Sequence, residues 1–167
     1  MKRFPRRTYR SLTELAADLR YMLKRRQLIR PAFRQQLSPA FRERLMLVVT
    51  GVNACRYCSY FHSGEALRSG VTPEQLAGLL SGDVPAGVPP EEHVALLYAQ
   101  HWAGSNAQPD PLAVQRLVDS YGDQKAEAIH LALRIIRIGN LLGNSADALL
   151  YYLSFGRLGA PQLASKT

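Results

Sequence analysis

The chain has 167 residues, enough for one domain of ordinary size and too few for two large cores. Hydrophobic residues make up 47% and charged residues 20% of it, a globular composition that excludes an intrinsically disordered protein. No apolar run approaches the roughly 18 residues that cross a bilayer, and no apolar segment follows the basic first residues. We therefore expect no transmembrane segment and no secretory signal. The expected location is the cytoplasm.

The formal charge of +8 is unevenly distributed along the chain. Residues 1–44 hold 13 Lys and Arg against three acids, a charge of +10, whereas residues 45–167 carry −2. Such a basic segment can contact phosphates or an acidic partner, but a solvated basic face is the more frequent outcome. We do not expect a nucleic-acid partner, and we keep a non-enzymatic binder of acidic partners through the N-terminus as an alternative.

Start and stop signals predict helices along most of the chain. Ser11 with Glu14 forms a capping box before an amphipathic helix over residues 11–29. Ser38 followed by Pro39 begins a second helix, which is apolar to Val52 apart from three charged residues. Further helices are predicted over residues 54–69, 72–80, 91–103, 112–121 and 123–142, and from Asn144 or Ser145 to Phe155.

No segment of the sequence favours a strand, so the predicted fold class is all-α. We divide the chain into a basic N-terminal arm over residues 1–34, which carries the amphipathic helix, a helical domain over residues 35–155, and a loose tail over residues 156–167. The helix over residues 123–142 is apolar on two sides, which predicts a central helix that is buried or lies at a subunit contact.

The two cysteines lie together in Cys55-Arg56-Tyr57-Cys58, with His62 four residues later. On a helix, Cys58 and His62 share one face and Cys55 lies one turn earlier, so the three side chains can converge. A helix N-terminus also favours thiolate over thiol. A thiolate that attacks a peroxide becomes a sulfenic acid, which a neighbouring thiol captures as a disulfide.

Other interpretations of the two cysteines compete with a reactive dithiol. They could form a structural disulfide, although a cytosolic setting keeps thiols reduced. They could bind structural zinc with His62 and a fourth ligand from Glu43 or a distant histidine. Haem attachment requires a histidine where this chain has Ser59. We predict no cofactor and no metal.

Glu43 lies 12 positions before Cys55 on the apolar second helix. It could be an exposed acid paired with Arg42 or Arg44. If the chain instead turns back after Gly51 so that the two helices pack antiparallel, Glu43 approaches the dithiol and can act as a base or proton carrier.

The spacing Glu43-x11-Cys55-x2-Cys58-x3-His62, followed by the break at Ser69-Gly70-Val71-Thr72, resembles the AhpD-like alkylhydroperoxidase and carboxymuconolactone decarboxylase superfamily. The similarity is sharpest over residues 41–80 and extends more loosely to about residue 155. The resemblance implies an AhpD-like helical bundle that assembles as trimers or hexamers. It also implies a peroxidatic Cys58, a resolving Cys55, and a proton relay through His62 and Glu43.

One position departs from the family pattern: Tyr57 stands where the best-studied peroxidases of the family carry a second histidine. A phenol is a poor base near neutral pH, since its reference pKa is about 10, so we expect weak turnover. By the same resemblance, the substrate is a small hydroperoxide and the reductant a protein or small thiol that the sequence does not identify. A decarboxylase-like reaction on a carboxylated lactone, with Glu43 and His62 as acid and base, is the alternative.

Several polar residues elsewhere are weaker candidates. His93 and His101 lie two turns apart on one predicted helix, and we expect core or surface histidines rather than a metal site. His130 is predicted to be a hydrogen-bonded interior or interface residue. Arg134, Arg137 and Asn140 could face a pocket or a neighbouring subunit, and we expect an intersubunit salt bridge.

Overall fold

The computed structural model describes residues 3–159, which contain helices and no β-strand. The helices are α1 (Leu12–Lys24), α2 (Arg26–Pro31), a π-helical turn (Ala32–Gln36), α3 (Pro39–Asn53), α4 (Arg56–Arg68), α5 (Pro73–Ser81), a 3-10 turn (Pro90–Glu92), α6 (His93–Gly104) and α7 (Pro111–Leu153). The predicted all-α fold class is confirmed. Of the predicted loose tail, residues 160–167 lie outside the described part of the chain.

Three helices begin with a capping side chain followed by a proline. The sequence predicted this combination for α3 and α5, and α7 has it at a position that was not predicted. Ser38 Oγ accepts a hydrogen bond from the Phe41 amide at 3.2 Å. Thr72 and Gln75 form a reciprocal capping box at the start of α5. Asp110 Oδ1 accepts from the Ala113 amide at 2.8 Å and starts α7. Each cap satisfies an amide that has no partner within its helix, and the proline costs no hydrogen bond there.

Two predicted helix boundaries are wrong. The first helix does not run unbroken to residue 29, because α1 ends at Lys24 and α2 begins at Arg26. The break predicted near residue 122 is present at Gly122, whose φ of 71° lies in the region that favours glycine. No new helix starts at Asn144, however, and α7 continues to Leu153. The Asn144 side-chain amide caps no helix and instead donates to the carbonyls of Asn53 and Arg7, at 2.7 and 2.8 Å.

Helices α3 and α7 form the centre of the bundle. Helix α3 packs against α4, α5, α6 and α7, while α7 also contacts α1, α2 and the π-helical turn, as expected for a central helix. The middle of α3 is almost fully buried, with Leu45, Leu47, Val48 and Val49 at most 1% exposed. Among residues 3–159, no helix is both long enough and apolar enough to cross a membrane.

The basic N-terminal segment folds back onto the bundle. Phe4 is buried and its ring lies 5.8 Å from that of Tyr151 on α7. The Arg7 carbonyl accepts a hydrogen bond from Asn144 at 2.8 Å, and its guanidinium donates to the Ala103 carbonyl at the end of α6. Part of the positive charge of this segment therefore contacts the protein itself.

The arginines of α7 pair within the chain. Arg134 Nη1 lies 2.5 Å from Asp18, and Arg137 Nη2 lies 2.7 Å from Glu14. Asn140 accepts a hydrogen bond from Thr50 at 3.2 Å. The acids of α1 thus supply partners within the chain for both guanidinium groups, and the expected intersubunit salt bridges stay a prediction.

Candidate functional site

A two-residue turn between α3 and α4 sets the geometry of the cysteine pair. Ala54 ends α3 in the left-handed region, with φ 56° and ψ 40°, and its amide donates to the Gly51 carbonyl at 3.2 Å. Cys55 follows in an extended conformation and is the N-cap of α4. Because so few residues separate the helices, α4 folds back along α3. The antiparallel packing that would bring Glu43 toward the dithiol is therefore present.

The two cysteines form a disulfide across the first turn of α4, with a Cα–Cα distance of 5.3 Å. This separation lies within the range that a disulfide spans without backbone movement. Cys55 is the residue before the helix rather than in its opening turn, and its sulfur accepts from the Cys58 amide at 3.4 Å. Cys55 is fully buried and Cys58 is partly exposed. The fold thus holds both sulfurs at the amide-rich end of a helix, where a thiolate is favoured.

Glu43 is buried, with 3% of its surface exposed, and its Oε2 shares a hydrogen bond of 2.7 Å with His62 Nδ1. Its other oxygen accepts from Arg42 Nε at 3.2 Å. The interpretation of Glu43 as an exposed acid is therefore wrong, and Arg44 instead pairs with the buried Glu92 through two hydrogen bonds.

The contact with Glu43 fixes the chemistry that the imidazole can perform. When the carboxylate accepts from Nδ1–H, the free lone pair of the neutral ring lies on Nε2, which is then the atom able to take a proton. His62 lies one turn beyond Cys58 on the same face of α4. The structure thus brings together the predicted residues Glu43 and His62, with Cys58 one helical turn before His62.

Tyr57 points its hydroxyl at α7. The hydroxyl donates to Asp147 Oδ1 at 3.2 Å and accepts from Arg56 Nη2 at 2.6 Å, while 54% of the residue is exposed. This side chain is anchored by hydrogen bonds at its tip, so it joins the cysteine turn to α7.

Asp147 is the residue that sequence reasoning missed. It is fully buried, and its carboxylate lies 2.7 Å from Arg6 Nη2 and 3.0 Å from Arg56 Nη2. It therefore links the N-terminal segment, the first turn of α4 and the last third of α7. A signal was available, because Asp147 is the one charged residue between Arg137 and Arg157 in an otherwise apolar and small-residue stretch.

The surroundings of the pair are partly apolar and partly charged. Tyr60 is 87% and Phe61 59% exposed on α4. Glu43 also borders a recess of about 450 Å³, which is lined by Arg42 and Arg68 as well. On α7, a Cβ added at Gly143 would lie 3.4 Å from Cys55 Sγ, so the helix backbone closes one side of the disulfide.

The weaker candidates lie apart from this site. His101 pairs with Asp110 at 3.0 Å. His130 hydrogen-bonds the Tyr98 hydroxyl at 3.1 Å, as expected of an interior residue, and burial lowers the pKa of its imidazole. Within the described part of the chain, no three His, Cys, Asp or Glu side chains are grouped as metal ligands would be.

Comparison with known families gives one match. The model of the carboxymuconolactone decarboxylase family matches residues 19–101, a segment that contains Glu43, Cys55, Cys58 and His62. Comparison with curated proteins and with solved structures gives no significant match. The all-α fold and the Glu, Cys-x-x-Cys, His arrangement agree with the resemblance seen in the sequence. The match assigns residues 19–101 to the carboxymuconolactone decarboxylase family, the family of AhpD-like proteins.

Proposed function

We propose that this protein is a thiol-dependent peroxidase that reduces a hydroperoxide through Cys58 and Cys55. The observation that carries the proposal is the hydrogen bond of 2.7 Å between buried Glu43 on α3 and His62 on α4, the helix that Cys55 caps and that holds Cys58 in its first turn. A carboxylate that orients an imidazole beside a thiol is the arrangement that activates a nucleophile.

The proposed cycle balances in three steps. Neutral His62 takes the proton of the Cys58 thiol, and the thiolate attacks the distal oxygen of the peroxide. The O–O bond breaks, Cys58 becomes a sulfenic acid, and the alkoxide leaves as an alcohol with a proton returned by His62. The Cys55 thiol then displaces the sulfenic oxygen as water and forms the disulfide. A dithiol reductant, itself oxidised to a disulfide, restores both thiols by exchange.

The burial of the two sulfurs supports the assignment of their roles. Cys58 is partly exposed, so it can meet a peroxide, whereas fully buried Cys55 suits a thiol that reacts only with its neighbour. Tyr57 adds no base to the relay, because its hydroxyl is hydrogen-bonded to Asp147 and Arg56. With a single imidazole available for proton transfer, we expect slower turnover than in relatives with two.

The exposed aromatic rings of Tyr60 and Phe61 favour an organic hydroperoxide over hydrogen peroxide, since they supply an apolar rim. The proposal includes a cytoplasmic location, where a protein or small thiol can act as reductant.

We also propose that the chain assembles as a trimer or hexamer. The last turns of α7 expose an apolar stripe at helical spacing, formed by Leu142, Ala146, Leu149, Leu150 and Leu153. Light scattering of Leu149→Lys and Leu153→Lys variants tests this assembly. A smaller species is expected, and an unchanged mass would contradict the use of this stripe.

The family match also favours a second candidate. A decarboxylase-like reaction on a small carboxylated lactone would use Glu43 and His62 as acid and base and leave the sulfurs idle. Replacing both cysteines by serine separates the two candidates. The peroxidase reaction is lost in that variant, whereas turnover of the lactone persists if the second candidate is correct.

The decisive experiment titrates free thiols before and after one equivalent of an organic hydroperoxide, with mass spectrometry of the Cys55–Cys58 peptide. Loss of two thiols and of two hydrogen masses is expected. Oxidation of one sulfur to sulfinic acid without a disulfide would contradict resolution by Cys55.

A matched pair of variants tests the relay. Glu43→Gln keeps the size of the side chain but removes the charge that orients His62, and we expect the rate of Cys58 oxidation to fall about 100-fold or more. Glu65→Gln is the control, because Glu65 lies on α4 like His62 and, among the described residues, forms its ion pair with the exposed Arg68. Equal rates in the two variants would contradict the relay.

A further inference from the structure

The folded N-terminal segment encloses a second, strongly basic recess. It has a volume of about 420 Å³ and is lined by Arg3, Arg6, Arg7 and Arg10, together with Asn106 and Tyr152. This volume falls within the range of small-molecule pockets. The described residues that line it include four arginines and no acid.

Arg6 is the feature that distinguishes this recess from a solvated basic face. Its side chain is only 6% exposed. Nη2 donates a hydrogen bond to the Gly159 carbonyl at 2.8 Å and lies 2.7 Å from Asp147 Oδ2, with which it forms an ion pair. Its Nε and Nη1 are buried, and within residues 3–159 neither has a hydrogen-bond partner. A buried, charged donor without an acceptor is unfavourable. Asp147 Oδ2 also has no hydrogen-bond partner in the described part of the chain, so the missing acceptor can be either this carboxylate, after a rotation of the guanidinium, or an anion in the recess.

The charge of the recess is not neutralised by its surroundings. Arg7 donates to the neutral carbonyls of Ala103 and Gly104. Arg3 and Arg10 are exposed, and neither guanidinium forms an ion pair within the described residues. Asp147 is shared between Arg6 and Arg56, and Glu14, which accepts from the Arg10 amide and from Asn106, forms its ion pair with Arg137. Arg3, Arg7 and Arg10 are thus left without an ion-pair partner among the described residues.

We propose that this recess binds a small ligand through a multiply charged oxyanion, a phosphate monoester or a diphosphate. Guanidinium groups donate in pairs to phosphate oxygens, and a dianion matches the excess charge better than a carboxylate does. The concave shape favours a soluble small molecule over a nucleic-acid strand. The proposal does not rest on the peroxidase function.

The position of the recess connects it to the cysteine helix. Asp147, which holds Arg6, also contacts Arg56 and Tyr57 in the first turn of α4. An anion that draws Arg6 toward the recess therefore competes with the carboxylate that anchors that turn.

The test is calorimetric titration of the full chain with inorganic phosphate and with pyrophosphate at low ionic strength. Arg6→Lys keeps a charge for Asp147 but removes the unpaired donors, and Arg10→Gln removes a charge that makes no ion pair within residues 3–159. Each is expected to weaken saturable binding about tenfold, the effect of one lost charge-assisted hydrogen bond. Arg20→Gln, which removes an exposed charge on α1 outside the recess, is the matched control and keeps the wild-type affinity.

Three outcomes would overturn the proposal. The first is the absence of saturable binding at millimolar pyrophosphate in the wild-type chain. The second is equal weakening by Arg20→Gln, which would assign binding to diffuse surface charge. The third is co-sedimentation with phosphatidic acid vesicles that depends on Arg10 while soluble phosphates do not bind, which would assign the recess to a lipid headgroup. Circular dichroism of each variant verifies that it is folded.

Discussion

Asp147 offers the sharpest test of how the site is supported. Its carboxylate is 1% exposed and contacts Arg6, which is 6% exposed, and Arg56, which is 42% exposed. Asp147→Asn keeps the shape of the side chain and removes the charge. The buried guanidinium of Arg6 then loses its counter-ion, while Arg56 can turn to solvent.

The ion pairs that Asp147 forms with Arg6 and with Arg56 contribute differently to the free energy of unfolding, because the first is buried and the second is partly exposed. Removing one partner of a buried ion pair costs about 3–5 kcal/mol, since the other charge is left desolvated. An exposed pair is worth about 0–1 kcal/mol. Asp147→Asn is therefore expected to lower the free energy of unfolding by about 3 kcal/mol or more, a large part of the 5–15 kcal/mol typical of a domain.

The assay is urea unfolding of the oxidised protein, followed by circular dichroism and extrapolated linearly to water. Arg56→Gln is the control and is expected to cost less than about 1 kcal/mol. Combining Arg6→Met with Asp147→Leu removes both charges and is expected to recover most of the loss. Two results would contradict a major contribution of the Arg6–Asp147 pair to stability. One is a loss of less than about 1 kcal/mol in Asp147→Asn, and the other is a loss in Arg56→Gln that equals the loss in Asp147→Asn.

Three further predictions concern packing and titration. At Gly51, an added Cβ would lie 2.6 Å from the Leu80 carbonyl oxygen, so Gly51→Ala is expected to lower stability by about 1–3 kcal/mol in urea unfolding. Gly139→Ala is its counterpart, since a Cβ there meets nothing within 4 Å; a gain of about 0.5–1 kcal/mol is expected, and a loss would show that packing rather than helix propensity governs the position. Burial lowers the pKa of His130, so below about pH 6.5 the unfolded chain binds a proton that the folded chain resists, and stability falls as the pH decreases. His130→Gln is expected to flatten that dependence, and urea midpoints that decline equally in both proteins would refute it.

The local features of the site could be predicted because they follow from spacing along the chain. The relative positions of Cys58 and His62 depend only on helix geometry. Ser38 and Thr72 mark helix starts through their side chains, and Gly122 marks the break within α7 through the absence of one. Glu43 was ambiguous, because its partner lies on another helix and both an exposed and a buried carboxylate fit the sequence.

The sequence alone determined the helical class, most of the helix starts and the grouping of two sulfurs with an imidazole. These features depend on interactions between residues that are close along the chain. Tertiary structure decided the rest. Glu43 is buried against His62 on another helix. Helix α7 continues past Asn144, whose side-chain amide donates to the carbonyls of Asn53 and Arg7. Arg6 pairs with Asp147, which lies 141 positions later in the chain. Contacts between distant segments leave no periodic signal, because whether a charge is solvated or buried depends on what packs over it.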